Sequence, residues 1–368
     1  MGLFGFGGKK QSFLGVDIGG GGIKIVELQN EKGRARLFTY GFTERLPDVE
    51  PLNMVDSPME TAALLKKIIK TAKTSTMKSI AGLPIASVFS SVITVPKGND
   101  KELKDAIQYQ AKKLIPVPLE EMVTDFKIIS APGAPQKTAV SKDAKKDEAK
   151  SVQVLLTGAS RAMVQKYVTT FKQAGLELVS LETEAFALIR ALVGKDRATT
   201  MIVDIGAIRT NIIIVENGVP YVTRSLDMGG GTLTRAMSKL LAMDLKSAEQ
   251  MKVDIKSLSS IYPDDGLPKI FETTIAPMLT ELQYSMNLYL GQGETAGMPA
   301  KSVEKIILTG GTAGLPALAP FFAKQLGIKT YVGDPWARVV SPEGLRPVLD
   351  EIGPRFAVAV GLAMRDIE

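Results

Sequence analysis

The sequence predicts a mixed α/β protein assembled by duplication, and three observations carry that expectation. Leu14-Gly-Val-Asp-Ile-Gly19 recurs as Met201-Ile-Val-Asp-Ile-Gly206. Each copy runs through a glycine turn into a second apolar strand, at 23–28 in one case and 211–215 in the other. Helix-period stretches alternate with short apolar runs bounded by Gly, Pro and Asn. A chain of 368 residues is too long for one simple core, so several subdomains are expected.

The elements follow in order. Strands are expected at 13–16, 23–28 and 36–42. A helix over 58–73 starts with a capping box from Ser57 and Glu60 and has Pro58 at its first position. Its apolar stripe is Leu64, Leu65, Ile68, Ile69 and Ala72. Strands at 79–83 and 88–95 precede a change of texture after Pro96. Helix 100–114 places Leu103, Ala106, Ile107, Ala111 and Leu114 on one face. Pro116 and Pro118 then lead to a strand at 124–130. Residues 131–150 are rich in Pro, Ala and Lys with almost no large apolar residue, which predicts a disordered loop. Strand 152–158, helix 162–174, strand 176–181 and helix 183–192 come next. The second copy of the hairpin opens at 201. Asn217-Gly218 marks a tight turn into a strand at 221–226. Helices at 232–243, 248–255 and 268–290, a strand at 305–308 and an apolar helix near 356–364 complete the chain.

Composition removes several chemistries. The chain has no cysteine and no histidine, which excludes disulfides, thiolate catalysis, histidine base catalysis and typical zinc sites. The formal charge is +6. Much of it sits at Lys9, Lys10 and the lysines of 131–150. No basic stripe with aromatic neighbours stands out, so no nucleic-acid partner is expected. No apolar run approaches the ~20 residues a membrane span needs. Residues 1–12 are glycine-rich and read as a flexible tail.

Three glycine turns follow apolar strands: Gly19, Gly20, Gly21 and Gly22; Gly206 with Ala207; and Gly310 with Gly311. Glycine lets backbone N–H groups approach phosphate oxygens because no Cβ stands in the way. Asp17 and Asp204 close their strands. Across a duplicated fold they are placed to hold Mg²⁺ through water, since Mg²⁺ prefers oxygen ligands and retains several waters. Lys24 would neutralise phosphate as a point charge. Each turn alone is also what any strand end uses, and each acid alone is also a turn cap; the duplicated set is what points to nucleotide.

On these motifs the chain resembles the actin-like ATPase superfamily. Within it the chain is similar to the PilM family of type IV pilus assembly proteins, which is related to the division protein FtsA. The resemblance covers about residues 12–368. It implies duplicated ribonuclease-H-like subdomains around an ATP cleft, with an inserted α/β subdomain and a mostly helical fourth. The implied division is 13–90, 178–198 and 340–368 for subdomain 1A and 91–177 for the insert 1C. Residues 199–237 and 302–339 form 2A, and 238–301 form 2B. Phosphate loops are implied at Gly15–Leu28 and Val203–Asn211, and an adenosine loop at Ile307–Thr312. Gly229 and Gly230 open the fourth subdomain, and Glu249 and Lys252 lie on the helix facing adenosine. Thr312 joins the adenosine loop. Glu182 falls where the family places a residue near the attacking water, and Glu184 is its rival.

The implied cofactors are ATP and Mg²⁺. The implied partner is the cytoplasmic N-terminal peptide of PilN, in a groove between the first and inserted subdomains, with other pilus machine proteins beside it. A homo-oligomer or ring is left open. Localisation is expected to be cytoplasmic and peripheral at the inner membrane, through a partner. Two departures bear on turnover. The family usually has serines in the first loop, where Gly20, Gly21 and Gly22 stand, and good catalysts carry a further acid where Ala207 and Ile208 stand. At most a slow ATPase is expected. The alternatives are an FtsA-like division protein, whose terminal amphipathic helix is not expected after residue 368, and a sugar or acetate-type kinase. A kinase needs a general base and a polar substrate pocket, and neither is legible.

Overall fold

A computed structural model describes residues 12–43, 55–130, 151–258, 269–295 and 302–367. The expected flexible tail, apart from residue 12, and the expected loop 131–150 lie outside the described residues. The chain forms two compact units, one of residues 1–86 and 166–368, the other of 87–165.

The elements run β1 (Ser12–Gly19), β2 (Gly22–Glu31), β3 (Arg34–Phe42), α1 (Pro58–Ala72) and β4 (Lys78–Leu83). β5 (Val88–Pro96), α2 (Asp100–Leu114), β6 (Met122–Ser130) and β7 (Ser151–Ser160) follow. Then come α3 (Arg161–Ala174), β8 (Glu177–Thr183) and α4 (Glu184–Leu188), which continues as a π-helical turn, Ile189–Val193. The second copy is β9 (Thr200–Ile205), β10 (Thr210–Glu216) and β11 (Val219–Leu226), followed by α5 (Gly230–Leu241), α6 (Leu245–Leu258) and α7 (Lys269–Thr295). β12 (Lys305–Thr309), α8 (Leu318–Leu326), β13 (Lys329–Val332), β14 (Val339–Val340), α9 (Arg346–Ile352) and α10 (Ala357–Ala363) end the chain.

In the larger unit the duplication is visible as topology. One sheet has the order β14-β3-β2-β1-β4-β8 and the other β11-β10-β9-β12-β13. Apart from the short β14, both place an antiparallel three-strand meander beside two parallel strands. The two sheets share a core. Phe13, Ile80, Ile202, Ile213 and Ile307 pack with Leu188 of α4 and Val358 and Leu362 of α10 in one buried cluster. α10 approaches β1 so closely that a Cβ on Gly15 would lie 2.1 Å from the Ala359 carbonyl oxygen. A Cβ on Gly361 would lie 1.9 Å from that of Ala187. Glycine at 15 and 361 is therefore a packing requirement.

The smaller unit is a three-stranded antiparallel sheet, β5-β7-β6. Its core joins Ile93, Val95, Val154 and Leu156 to Leu103, Ile107 and Ala111 of α2. The expected stripe of α2 is thus the buried face, with Leu114 outside it at 42% exposed.

Two local expectations are corrected. Ser57 makes no side-chain capping bond: its ψ of 67° departs from the extended backbone usual at an N-cap, and its carbonyl accepts from Thr61 N at 3.0 Å. The capping box forms at α2, where Asn99 accepts from Glu102 N and Glu102 accepts from Asn99 N, each at 3.0 Å. The expected helix 183–192 is a short α-helix widening into a π turn.

Candidate functional site

Both hairpins place an acid opposite a polar side chain. In the first, the register pairs Asp17 with Lys24 and Gly19 with Gly22. Lys24 Nζ lies 3.6 Å from Asp17 Oδ2 and donates to the Gly22 carbonyl at 3.3 Å. Gly22 has φ +121°, and a Cβ there would sit 2.2 Å from the Thr43 carbonyl oxygen. Thr43 closes the turn, its hydroxyl accepting from Ile23 N and its own N–H donating to Ile23 O, both at 2.9 Å. In the second hairpin the register pairs Asp204 with Asn211. Gly206 N–H is spent on Arg209 O at 2.9 Å. Asn211 Nδ2 faces Asp204 Oδ2 at 3.5 Å and Glu184 Oε2 at 3.4 Å.

The two hairpin tips touch. A Cβ on Gly20 would lie 2.5 Å from Ile208 Cγ1, and one on Gly21 3.2 Å from Ala207 Cβ. Behind the tips the acids act on one another. Burial, then the Asp17 charge, pushes Asp204 up to about 6. Burial pushes Glu184 well above the usual carboxylate range, with Asp17 and Asp204 adding to it. Asp17 is also raised, burial outweighing the pull of Lys24. A buried group of mutually repelling carboxylates with one lysine favours either protonation or a bound cation. Among the described residues no three acids are gathered closely enough to ligate a metal ion directly.

The remaining expected residues form a second cluster beside the first. Gly310, at φ +88°, lies so close to Asp204 that a Cβ would sit 2.6 Å from its Oδ1. Gly310 N–H donates to Pro354 O at 2.8 Å, and Gly311 lies beside Arg355. The start of α5 docks on the second hairpin: Gly230 N–H donates to Gly206 O at 2.9 Å and Gly231 N–H to Ala207 O at 2.8 Å. A Cβ on Gly229 would lie 2.6 Å from Gly206 O. Lys252 is buried and donates to Glu249 Oε2 at 2.6 Å, Thr234 Oγ1 at 2.8 Å and Gly230 O at 3.1 Å. Thr312 Oγ1 sits against Gly230, 2.4 Å from where a Cβ would be.

Glu182 stands apart. It forms a forked pair with Arg190 at 2.5 and 3.1 Å, and Arg190 also donates to Gly361 O at 2.6 Å. Glu184 is the acid that shares the charge cluster. The sequence did not single out Asn211, although the duplication placed it at the register position of Lys24.

Two sheets of one strand order, each opening on an acid-ended glycine hairpin and meeting at those hairpins, define an actin-like ATPase fold. The chain matches the family described as type IV pilus assembly protein PilM over residues 15–367, and it belongs to that family. A solved structure of a PilM–PilN type IV pilus biogenesis complex is 27% identical, with 96% of this chain and 98% of that chain covered and a TM-score of 0.75. The division protein FtsA of Neisseria meningitidis serogroup B is 24% identical over 225 residues, 56% of this chain and 52% of FtsA. MreB5 of Spiroplasma citri, bound to AMPPNP, is 14% identical with a TM-score of 0.50, covering 96% of this chain and 95% of that one, and shares the fold. The chain spans about half the length of the curated relatives it matches.

Proposed function

We propose that this chain is an ATP-binding, actin-like scaffold of the type IV pilus assembly machine that binds the cytoplasmic N-terminal peptide of PilN. The observation that carries the nucleotide part is the meeting of Asp17 and Asp204 in one charge cluster behind two touching glycine turns. Repelling carboxylates fit a cation held through water. Mg²⁺, when present, neutralises phosphate charge that the acids would otherwise repel. Asp17 and Asp204 would hold it, with Lys24 as a further positive charge. The turns Gly19–Gly22 and Gly206 would border the phosphates. Gly229, Gly230, Glu249, Lys252, Gly310, Gly311 and Thr312 would border the adenosine. Nucleotide must displace the apolar contact of Ile208 with Gly20 to sit between the tips. We assign the orientation of water to Glu184, because Glu182 is engaged by Arg190. Few donors and no further acid at 207–208 support slow turnover at most.

The partner reading is supported by family membership and by likeness to a protein solved as a PilM–PilN complex. We assign the subdomains 1A, 1C, 2A and 2B by resemblance to the family. Cytoplasmic, peripheral attachment through a partner belongs to the same reading and rests on the likeness to the PilM–PilN complex; among the described residues no helix is long and apolar enough to cross a membrane. A pull-down on a synthetic PilN N-terminal peptide tests it. The chain should be enriched over a scrambled peptide, and the yield should change with Mg·ATP if the cleft and the peptide site are coupled. Equal recovery on both peptides contradicts the partner assignment.

A further inference from the structure

Ile208 stands at the tip of the second hairpin, inside a turn closed by Gly206 N–H on Arg209 O at 2.9 Å. Such turns favour Gly, Asn, Asp and Ser, and a β-branched apolar residue that is still 37% exposed gains nothing from the turn itself. What it gains is the other hairpin. Ile208 lies over Gly20, where a Cβ would be 2.5 Å from its Cγ1 and 2.6 Å from its Cδ1. Ala207 covers Gly21 in the same way, 3.2 Å from where a Cβ would be. Among the described residues the N–H groups of Gly20, Gly21, Ala207 and Ile208 make no hydrogen bond. Unspent backbone donors at facing glycine turns suit phosphate oxygens, and the Ile208 side chain fills the gap between the two sets.

We propose that Ile208 sets the nucleotide affinity of the cleft: its side chain is an apolar latch that holds the hairpin tips together in the empty protein and must swing off Gly20 before phosphate can enter. This rests on the nucleotide reading above. Latch and phosphate compete for one space and exclude each other. The apparent affinity is then reduced by the fraction of molecules in which the latch is open. Shortening Ile208 therefore has two effects of opposite sign. The empty protein loses an apolar contact and becomes slightly less stable, while the cleft binds nucleotide more tightly. A residue with only a packing role would lower both when shortened.

The test is calorimetric titration of Mg·ATP into the full chain, Ile208→Ala and Ile208→Val, with thermal unfolding of each unliganded protein. Ile208→Ala should bind about tenfold more tightly than the wild type, the change expected when opening no longer uncovers about half of an isoleucine side chain. Ile208→Val, which keeps a branched side chain against Gly20, should stay within about threefold of the wild type. The contact itself is checked without ligand. Gly20→Ala should lower the unfolding temperature of the wild type and be nearly silent in Ile208→Ala, because the clash is with the Ile208 side chain. Mg·ATP affinity in Ile208→Ala that is equal to or below that of the wild type overturns the latch, and so does an equal cost of Gly20→Ala in both backgrounds. If neither the wild type nor Ile208→Ala binds Mg·ATP, the nucleotide reading itself falls and the latch with it, an outcome distinct from equal binding by both.

Discussion

Asp204, proposed to hold Mg²⁺ through water, works against the stability of the unliganded fold. Its pKa is about 6 in the folded chain, against an ordinary value of 3.8. The folded state therefore binds this proton more tightly than the unfolded state. Stability of the unliganded chain should fall as pH rises from about 4 to about 6, and the loss should persist above that. The full effect has a ceiling of about 3 kcal/mol, trimmed by the side chain's partial exposure. Asp204→Asn removes the charge while its amide oxygen still accepts from Asn211. Urea unfolding should find the variant more stable than the wild type at pH 7.5, with the difference shrinking toward pH 4. Parallel pH profiles would contradict the assignment. Asp17 and Asp204 were legible because they recur in a repeated motif. The link to Glu184 was not, because it arises across two elements with no fixed spacing.

α4 and its π-helical extension connect the first sheet to β9, and the two acids at the start of this connection have different partners. Glu182, just before the helix, is tied through Arg190 to the α10 backbone at Gly361. Glu184, in the first turn of α4, faces the hairpin acids and accepts from Ile85 N at 3.3 Å. Arg190→Ala should leave Glu182 unpaired in a mostly buried position and cost about 1–3 kcal/mol in denaturant unfolding. Its Mg·ATP affinity should change little. Glu184→Gln should do the reverse, raising the stability of the unliganded chain and lowering hydrolysis. If Arg190→Ala abolished nucleotide binding at full stability, the division of labour would be wrong. A helix was expected over 183–192, but its π turn was not, because one wide turn leaves a helical sequence pattern nearly intact. β13 and β14 were unforeseen because four and two residues are too few to show an alternation. The cap at Ser57 failed because the motif records residue types, whereas capping depends on backbone dihedrals.

At the scale of the molecule the duplication organises everything else. A repeated Val-Asp-Ile-Gly predicted two equivalent hairpins, and the structure returns two sheets of equivalent strand order built around them. Close approaches in the shared core, such as Gly15 against Ala359 and Gly361 against Ala187, depend on distant neighbours and could not be read from the chain. The same holds for Ile208, which meets Gly20 across 188 positions of sequence and fills space that a first-loop serine side chain would need. Gly20 and Gly21 are thus matched to this second loop. The central claim is that the two hairpins together form one nucleotide clamp. Calorimetric titration of Mg·ATP into the wild type and Asp17→Ala tests it most directly. Saturable one-to-one binding by the wild type, weakened at least tenfold in the variant, is the predicted result; no binding heat in the wild type, or equal affinity in both proteins, would contradict it.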